Sequence, residues 1–263
     1  MTPHAMQEAA RSLWNHWQEG RRMPSLAPAC RPATRAECYA VQEAVMAAAG
    51  RGQVGWKIAA TSTAGQRHIG VDGPLAGRLL DGQASQSGAA VSLRGTQMRV
   101  AEPEFAFRMG CDLMPRAQPY DEAEVVAAVD TLHPAIEIPD SRFDDFANAG
   151  GPQLIADNAC AHLFVLGPAT RADWRALDLA AHTVHARVAG RYERSGKGEN
   201  VLGGPHVALT WIANELSALG IGLRAGQVVT TGNQSDAILV QSVGGGADLG
   251  CVHHHRAHID RVE

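Results

Sequence analysis

Two glutamates stand two residues apart in the stretch VAEPEFAF (100–107). Residues so spaced in a strand project from one face, which sets Glu102 and Glu104 side by side among Val100, Phe105 and Phe107. Adjacent carboxylates in apolar surroundings repel each other and lose hydration. A divalent cation would relieve both penalties, and an oxygen-only donor set suits Mg²⁺ or Mn²⁺ rather than Zn²⁺. Glu137 is a third acid, in PAIEIPD (134–140), where Ile136 and Ile138 should face the other way into a core. Three carboxylates on neighbouring strands would leave octahedral positions free for water and a chelating substrate. The spacing alone fits equally well with acids on the wet face of half-exposed strands. Lys57, in VGWKIAA, also has two readings. It is an exposed strand lysine, or a lysine near a metal that binds a substrate carboxylate or relays a proton.

The elements that must position these residues are legible in outline. Thr2 and Pro3 open a helix whose apolar residues recur at helical spacing through Trp17, and Gly20 ends it. Thr34 and Glu37 form a capping box for a second helix that stops near Gly50. QVGWKIA (53–59) alternates as a strand, and Ser62 caps a short helix ending near Gly70. Residues 97–110 read as a long strand with Pro103 at an edge position or a bulge. Asp121 and Glu124 cap a helix carrying Val125, Val126 and Val129, and a short strand follows around Glu137. A hairpin is predicted over 182–196, turning near Gly190, then a helix from Val207 to Leu219 and strands at 228–231 and 238–240. Helices followed mostly by strands indicate an α+β chain rather than a regular βαβ series.

Composition narrows the function class. The 263 residues are 45% hydrophobic and 19% charged, with a formal net charge of -4 and no basic block. A nucleic-acid partner is therefore disfavoured, because phosphate binding needs a basic stripe. The five cysteines form no CxxC pair, so reduced thiols of a cytoplasmic protein are expected. The start of the chain lacks a signal-peptide layout, and no stretch is apolar enough for a membrane span.

The ordered set GWKI (55–58), TSTAGQRHIGVDGPLAGRLLD (61–81), EPEFAF (102–107), PAIEIPDSR (134–142), ADNAC (156–160), LGGPHVALTWIANEL (202–216) and VVTTG (228–232) resembles the 2-keto-4-pentenoate hydratase family, within the fumarylacetoacetate hydrolase superfamily. The resemblance implies a mixed β-sandwich roll with a small helical N-terminal lobe, divided as 1–75 and 76–263. It implies Mg²⁺ or Mn²⁺ on Glu102, Glu104 and Glu137, catalytic roles for Lys57 and Asp81, and a homo-oligomer. Asn233 to Asp236 and the segment 244–263 depart from the family pattern.

The implied reaction is hydration of a 2-hydroxypenta-2,4-dienoate-type acid, in catabolism of aromatic compounds. The dienol ketonises to a 2-oxo-3-enoate, water adds at C4, and C3 is protonated. Loss of CO₂ from a 2-oxo-dioic acid passes through a similar enolate, so a 4-oxalocrotonate-type decarboxylase is the alternative. An acylpyruvate hydrolase comes next, with His162 or His206 recruited as base, and then a non-catalytic ligand-binding relative. The run His253, His254, His255 would alternate faces in a strand and make a poor chelate.

Overall fold

The computed structural model describes residues 1–188 and 192–233, and the backbone of the strand segments 238–239, 249–252, 256–259 and 261–262. The turn at Gly190 and the histidine run 253–255 lie outside the described residues.

In chain order the regular elements are α1 (Pro3–Glu19), α2 (Arg35–Ala49), β1 (Gln53–Ala59), α3 (Thr63–His68), β2 (Leu75–Leu80), β3 (Ala84–Gln86), β4 (Ala90–Val91), β5 (Val100–Met109), α4 (Glu122–Ala127), β6 (Val129–Ile138), α5 (Gly151–Ala156), β7 (Leu163–Leu166), β8 (Thr183–Val188), β9 (Tyr192–Lys197), α6 (Pro205–Ala218), β10 (Val228–Thr230), β11 (Ile238–Leu239), β12 (Leu249–Val252), β13 (Arg256–Ile259) and β14 (Arg261–Val262). The main sheet runs β2-β1-β10-β5-β6-β7-β3, with β11 also on β5. A second sheet runs β13-β12-β8-β9, and β14 pairs with β4. The main sheet is mixed: β1–β10 and β3–β7 are parallel, whereas β5–β6, β6–β7 and β1–β2 are antiparallel.

Local chemistry explains the helix ends. Thr2 accepts from Ala5 N at the start of α1, and Gly20 closes it at φ 62°, in the left-handed region where glycine carries no Cβ penalty. The Thr34–Glu37 capping box opens α2, and Asp121–Glu124 opens α4. Val129 was expected on that last helix; α4 ends at Ala127, and Val129 begins β6. β-branched residues and a pairing partner in β5 draw the chain into a strand there.

Pro103 sits in a strand flanked on both sides, contrary to an edge position for the whole element. On one side β5 pairs with β6 without a break from Glu102 to Arg108. On the other, β11 takes residues 100 and 101 and β10 takes 106 to 108, so Pro103 falls in the interval between two ladders. A missing N–H is tolerated in such a gap.

The principal core lies between one face of the main sheet and the helices. Trp56, Ile58, Phe105, Phe107, Ile136 and Ile138 pack there with Leu13, Val41, Val45, Leu209, Ile212 and Leu216. A smaller apolar cluster of Leu79, Ala106, Ala135, Phe164, Leu166 and Val228 forms separately. Strand parity puts Ala106 and Ala135 on the face that carries Glu104 and Glu137. Among the described residues the packing has no break at residue 75. The sheet hydrogen-bonds β1 to both β2 and β10, and α1 and α2 contribute to the same core as β5 and β6. β1 is thus hydrogen-bonded on both edges, to β2 and to β10. No helix among the described residues is long and apolar enough to cross a membrane.

Candidate metal centre

Strands β5 and β6 run antiparallel, with Glu102 directly opposite Glu137 and Glu104 opposite Ala135. Each of the three glutamates offers a carboxylate oxygen within 4.8 Å of the other two. Glu104 and Glu137 are fully buried, while Glu102 is half-buried. The wet-face reading is thereby excluded for Glu104 and Glu137, and so is the exposed reading of Lys57, which is 2% exposed.

Lys57 enters from β1, whose residue 57 pairs with Thr230 of β10. Its Nζ lies 3.0 Å from Glu137 Oε1 and donates to the Ala159 carbonyl at 3.1 Å. Burial pulls the Lys57 pKa down, but attraction to Glu137, Glu102 and Glu104 outweighs it, and the net shift is upward. Lys57 therefore stays an ammonium. Burial raises all three carboxylates as well. Glu137 is pushed up to about 7 by burial and by Glu102, against the pull of Lys57. Glu104 rises well above the usual carboxylate range through burial, then repulsion from Glu137 and Glu102. Glu102 is raised by burial, with Lys57 opposing. One ammonium does not balance three clustered carboxylates, two of them fully buried.

Glu104 is held on one side only. Thr230 Oγ1 donates to its Oε2, and Gly232 N donates to the same oxygen at 2.8 Å. Glu104 Oε1 and Glu137 Oε2 have no hydrogen-bond partner among the described residues. Buried carboxylate oxygens left without donors are costly, and converging oxygen donors of this kind fit a hard divalent cation. The donor set thus passes the test for such an ion.

Gly232 has φ 99°, and a Cβ there would come 2.3 Å from Thr61 Oγ1. Only glycine lets this turn bring its N–H to Glu104. The lysine's second partner is also specially held. Asn158, Ala159 and Cys160 all have left-handed φ, at 57°, 49° and 61°. Such a run is strained and must be tied down. Asn158 does this with its side chain, accepting from Arg78 N at 2.6 Å and donating to Arg78 O at 2.8 Å. The preceding Asp157 is buried and paired to Arg142 and Ser141. The segment crosses β2 at Gly77, where a Cβ would meet Asn158 O at 2.1 Å.

Thr230, Gly232 and the Ala159 carbonyl make contacts to Glu104 and Lys57 that residue type and spacing do not single out. VVTTG and ADNAC flagged the segments, but nothing in spacing tells a threonine beside a buried acid from one in a strand end.

Asp81 is not brought to this cluster. It follows Leu80, which pairs with Gln53, four residues along β1 from Lys57, or roughly 13 Å at strand rise. Its exposed carboxylate accepts from Gly82 N at 2.9 Å in the turn after β2. His162 and His206 also lie apart from the acids. His162 accepts from Trp17 Nε1 at 2.9 Å, and burial with Arg142 and Arg22 pushes its pKa down to about 3. His206 packs against Phe107 and Trp174, on the core side of the sheet.

No family model matches the chain. It is 34% identical over 244 residues to the 2-keto-4-pentenoate hydratase of Paraburkholderia xenovorans (strain LB400), covering 92% of this chain and 89% of that protein. It is 37% identical over 188 residues to the 2-hydroxyhexa-2,4-dienoate hydratase of Comamonas testosteroni, with 71% and 70% covered. Among solved structures, the 4-oxalocrotonate decarboxylase from Pseudomonas putida G7, complexed with magnesium and adipate, superposes with a TM-score of 0.87 at 25% identity, covering 100% of this chain and 99% of that one. The fumarylacetoacetate hydrolase from Exiguobacterium antarcticum shares the fold at a TM-score of 0.58 and 15% identity, with 81% and 76% covered. With a fold of the fumarylacetoacetate hydrolase type and hydratase relatives matched along most of its length, the chain belongs to the 2-keto-4-pentenoate hydratase family.

Proposed function

We propose that the protein is a divalent-metal-dependent hydro-lyase that adds water to a 2-hydroxypenta-2,4-dienoate-type acid, giving a 4-hydroxy-2-oxo acid. The observation that carries this reading is the convergence of Glu102, Glu104 and Glu137 beside the buried ammonium of Lys57. Glu102, Glu104 and Glu137 would hold Mg²⁺ or Mn²⁺, which supplies a Lewis acid for the oxygens of a bound 2-oxo acid.

Each residue around the acids has a part that follows from its contacts. Thr230 and Gly232 fix one oxygen of Glu104 and leave the other free to coordinate. Lys57 partly neutralises the three acids. It is also the only ammonium among the described residues within 4 Å of a cluster carboxylate. As an ammonium it serves as the proton donor to carbon, to C5 during ketonisation and to C3 after water addition, and is recharged first by the C2 hydroxyl proton and then by the proton of the added water; such a group contributes about 10²–10⁴-fold. The Ala159 carbonyl keeps Nζ aimed at the cluster rather than into the core. Hydration places OH on C4 and H on C3, so no redox partner is needed.

A decarboxylase reading has a specific observation in its favour, namely the near-complete superposition on 4-oxalocrotonate decarboxylase. Hydratase relatives at higher identity over most of the chain favour the first reading. An ultraviolet assay of Mg²⁺-loaded protein separates them, offering 2-hydroxypentadienoate and 4-oxalocrotonate side by side. Dienol loss without CO₂ release supports the hydratase, CO₂ release from oxalocrotonate supports the decarboxylase, and no turnover of either contradicts both. Homo-oligomerisation, implied by the family resemblance, belongs to the same proposal and is checked by sedimentation.

A further inference from the structure

On the opposite face of β1 and β2 lies a cavity of about 540 Å³. Its wall includes Tyr39 and Glu43 of α2, Trp56 of β1, Arg78 of β2, and Leu219 and Ile221 just after α6. Trp56 and Lys57 are sequence neighbours on one strand, so they point to opposite faces. The cavity and the acidic cluster are thus separated by the thickness of the sheet. Its volume is in the usual range for small-molecule sites, about 300–1,000 Å³.

Arg78 dominates the chemistry. Its guanidinium lies over the Trp56 indole, 4.6 Å from the ring centroid. It donates to Gln53 Oε1 at 2.7 Å and pairs with Glu43 Oε2 at 2.7 Å. The two ends of that ion pair are unequal: the Arg78 side chain is 7% exposed and the Glu43 side chain 69%. A buried cation is balanced by a carboxylate that is mostly in water, which makes the pair weak and exchangeable. Two buried donors on the same wall, Arg78 Nε and Trp56 Nε1, have no acceptor among the described residues. Both groups only donate, so what they lack is an oxygen acceptor or an anion. Beside them Ala36, Ala40, Leu219 and Ile221 offer an apolar surface.

We propose that this cavity is a second binding site, distinct from the metal centre, for a small monocarboxylic acid with an apolar tail. The ligand carboxylate takes the place of Glu43 on Arg78 and brings oxygens to the unpartnered donors. The tail covers Ala36, Ala40, Leu219 and Ile221. Glu43 acts as the resident stand-in, a carboxylate from the chain that holds Arg78 until a ligand carboxylate displaces it.

Hexanoate is a suitable probe, titrated calorimetrically into full-length protein kept metal-free with a chelator, so that the carboxylate cannot coordinate a metal at the acidic cluster. Saturable binding at one site per chain is expected. Arg78→Met should weaken it by about tenfold or more, since a charge-assisted fork is lost. Glu43→Gln removes the competing carboxylate and should tighten binding by about threefold, the scale of an exposed ion pair. Glu43 is exposed, so this variant keeps the fold and decides the matter even if Arg78→Met does not fold. Absence of saturable binding, as would follow if a second copy of the chain covers the cavity, overturns the proposal. So does an unchanged or weakened affinity in Glu43→Gln.

Discussion

Glu102 and Glu137 face each other as direct partners across the β5–β6 ladder, although like charges in that position destabilise a sheet. Lys57 approaches Glu137 from β1, yet it offsets only part of the charge, because Glu104 is also within reach.

Stability of the metal-free protein should fall as pH rises. Glu137 has its pKa raised from the ordinary 4.5 to about 7. A carboxyl that binds its proton more tightly when folded stabilises the fold below its unfolded pKa, and that contribution is lost as pH rises through the folded value. The loss falls between pH 4.5 and about 7 and is on the order of 3 kcal/mol for this one group. A bound cation replaces the proton, so stabilisation by metal should grow over the same window. Urea denaturation at several pH values, with and without Mg²⁺, checks this; a metal effect independent of pH would contradict it.

Lys57→Met should lower turnover by about 10²–10⁴-fold while the metal still binds. Without metal, the variant should unfold earlier than wild type, because three clustered acids lose their ammonium. Added Mg²⁺ should close most of that gap. Thermal melts and a dienol assay report the two effects, and wild-type turnover would remove Lys57 from the mechanism.

Thr230→Val keeps the shape of the side chain and deletes the hydroxyl that donates to Glu104. Loss of such an outer hydrogen bond to a ligand costs about 10–100-fold in metal affinity or activity. Circular dichroism should be unchanged. Full metal affinity and full turnover would mean that Gly232 N alone positions Glu104.

Gly77→Ala introduces a Cβ 2.1 Å from the backbone oxygen of Asn158. The left-handed segment 158–160 must then shift, taking with it the Ala159 carbonyl that holds Lys57. Activity should drop by well over tenfold, and stability by about 1–3 kcal/mol as for other overpacked sites. Retention of both would show that the crossing is loose.

Much of this architecture was legible from local signals. Thr2, Thr34, Ser62 and Asp121 all cap helices as their side chains predict, because a cap needs only neighbours in sequence. The EPE spacing likewise gave Glu102 and Glu104 a common face. Glu137 required more, since register between β5 and β6 is a tertiary property, and the ordered family resemblance carried it. Asp81 was carried over from the same resemblance, but the geometry leaves it in a solvent turn. What stayed hidden depends on contacts distant in sequence. Thr230 lies 126 residues from Glu104, and Ala159 lies 102 residues from Lys57 and contributes only a backbone oxygen. A backbone carbonyl leaves no mark in residue type, and three non-glycine residues with left-handed φ leave none in propensity.

Titration of metal-free protein with Mn²⁺, for wild type and Glu104→Gln in parallel, bears most directly on the centre. Wild type should take up one ion per chain with release of protons, since the raised carboxyls must ionise to coordinate. Glu104→Gln should weaken uptake by more than the roughly hundredfold that loss of an outer hydrogen bond can cause. Equal Mn²⁺ affinity in the two proteins, or none in wild type, would contradict the assignment of Glu102, Glu104 and Glu137 as the metal site.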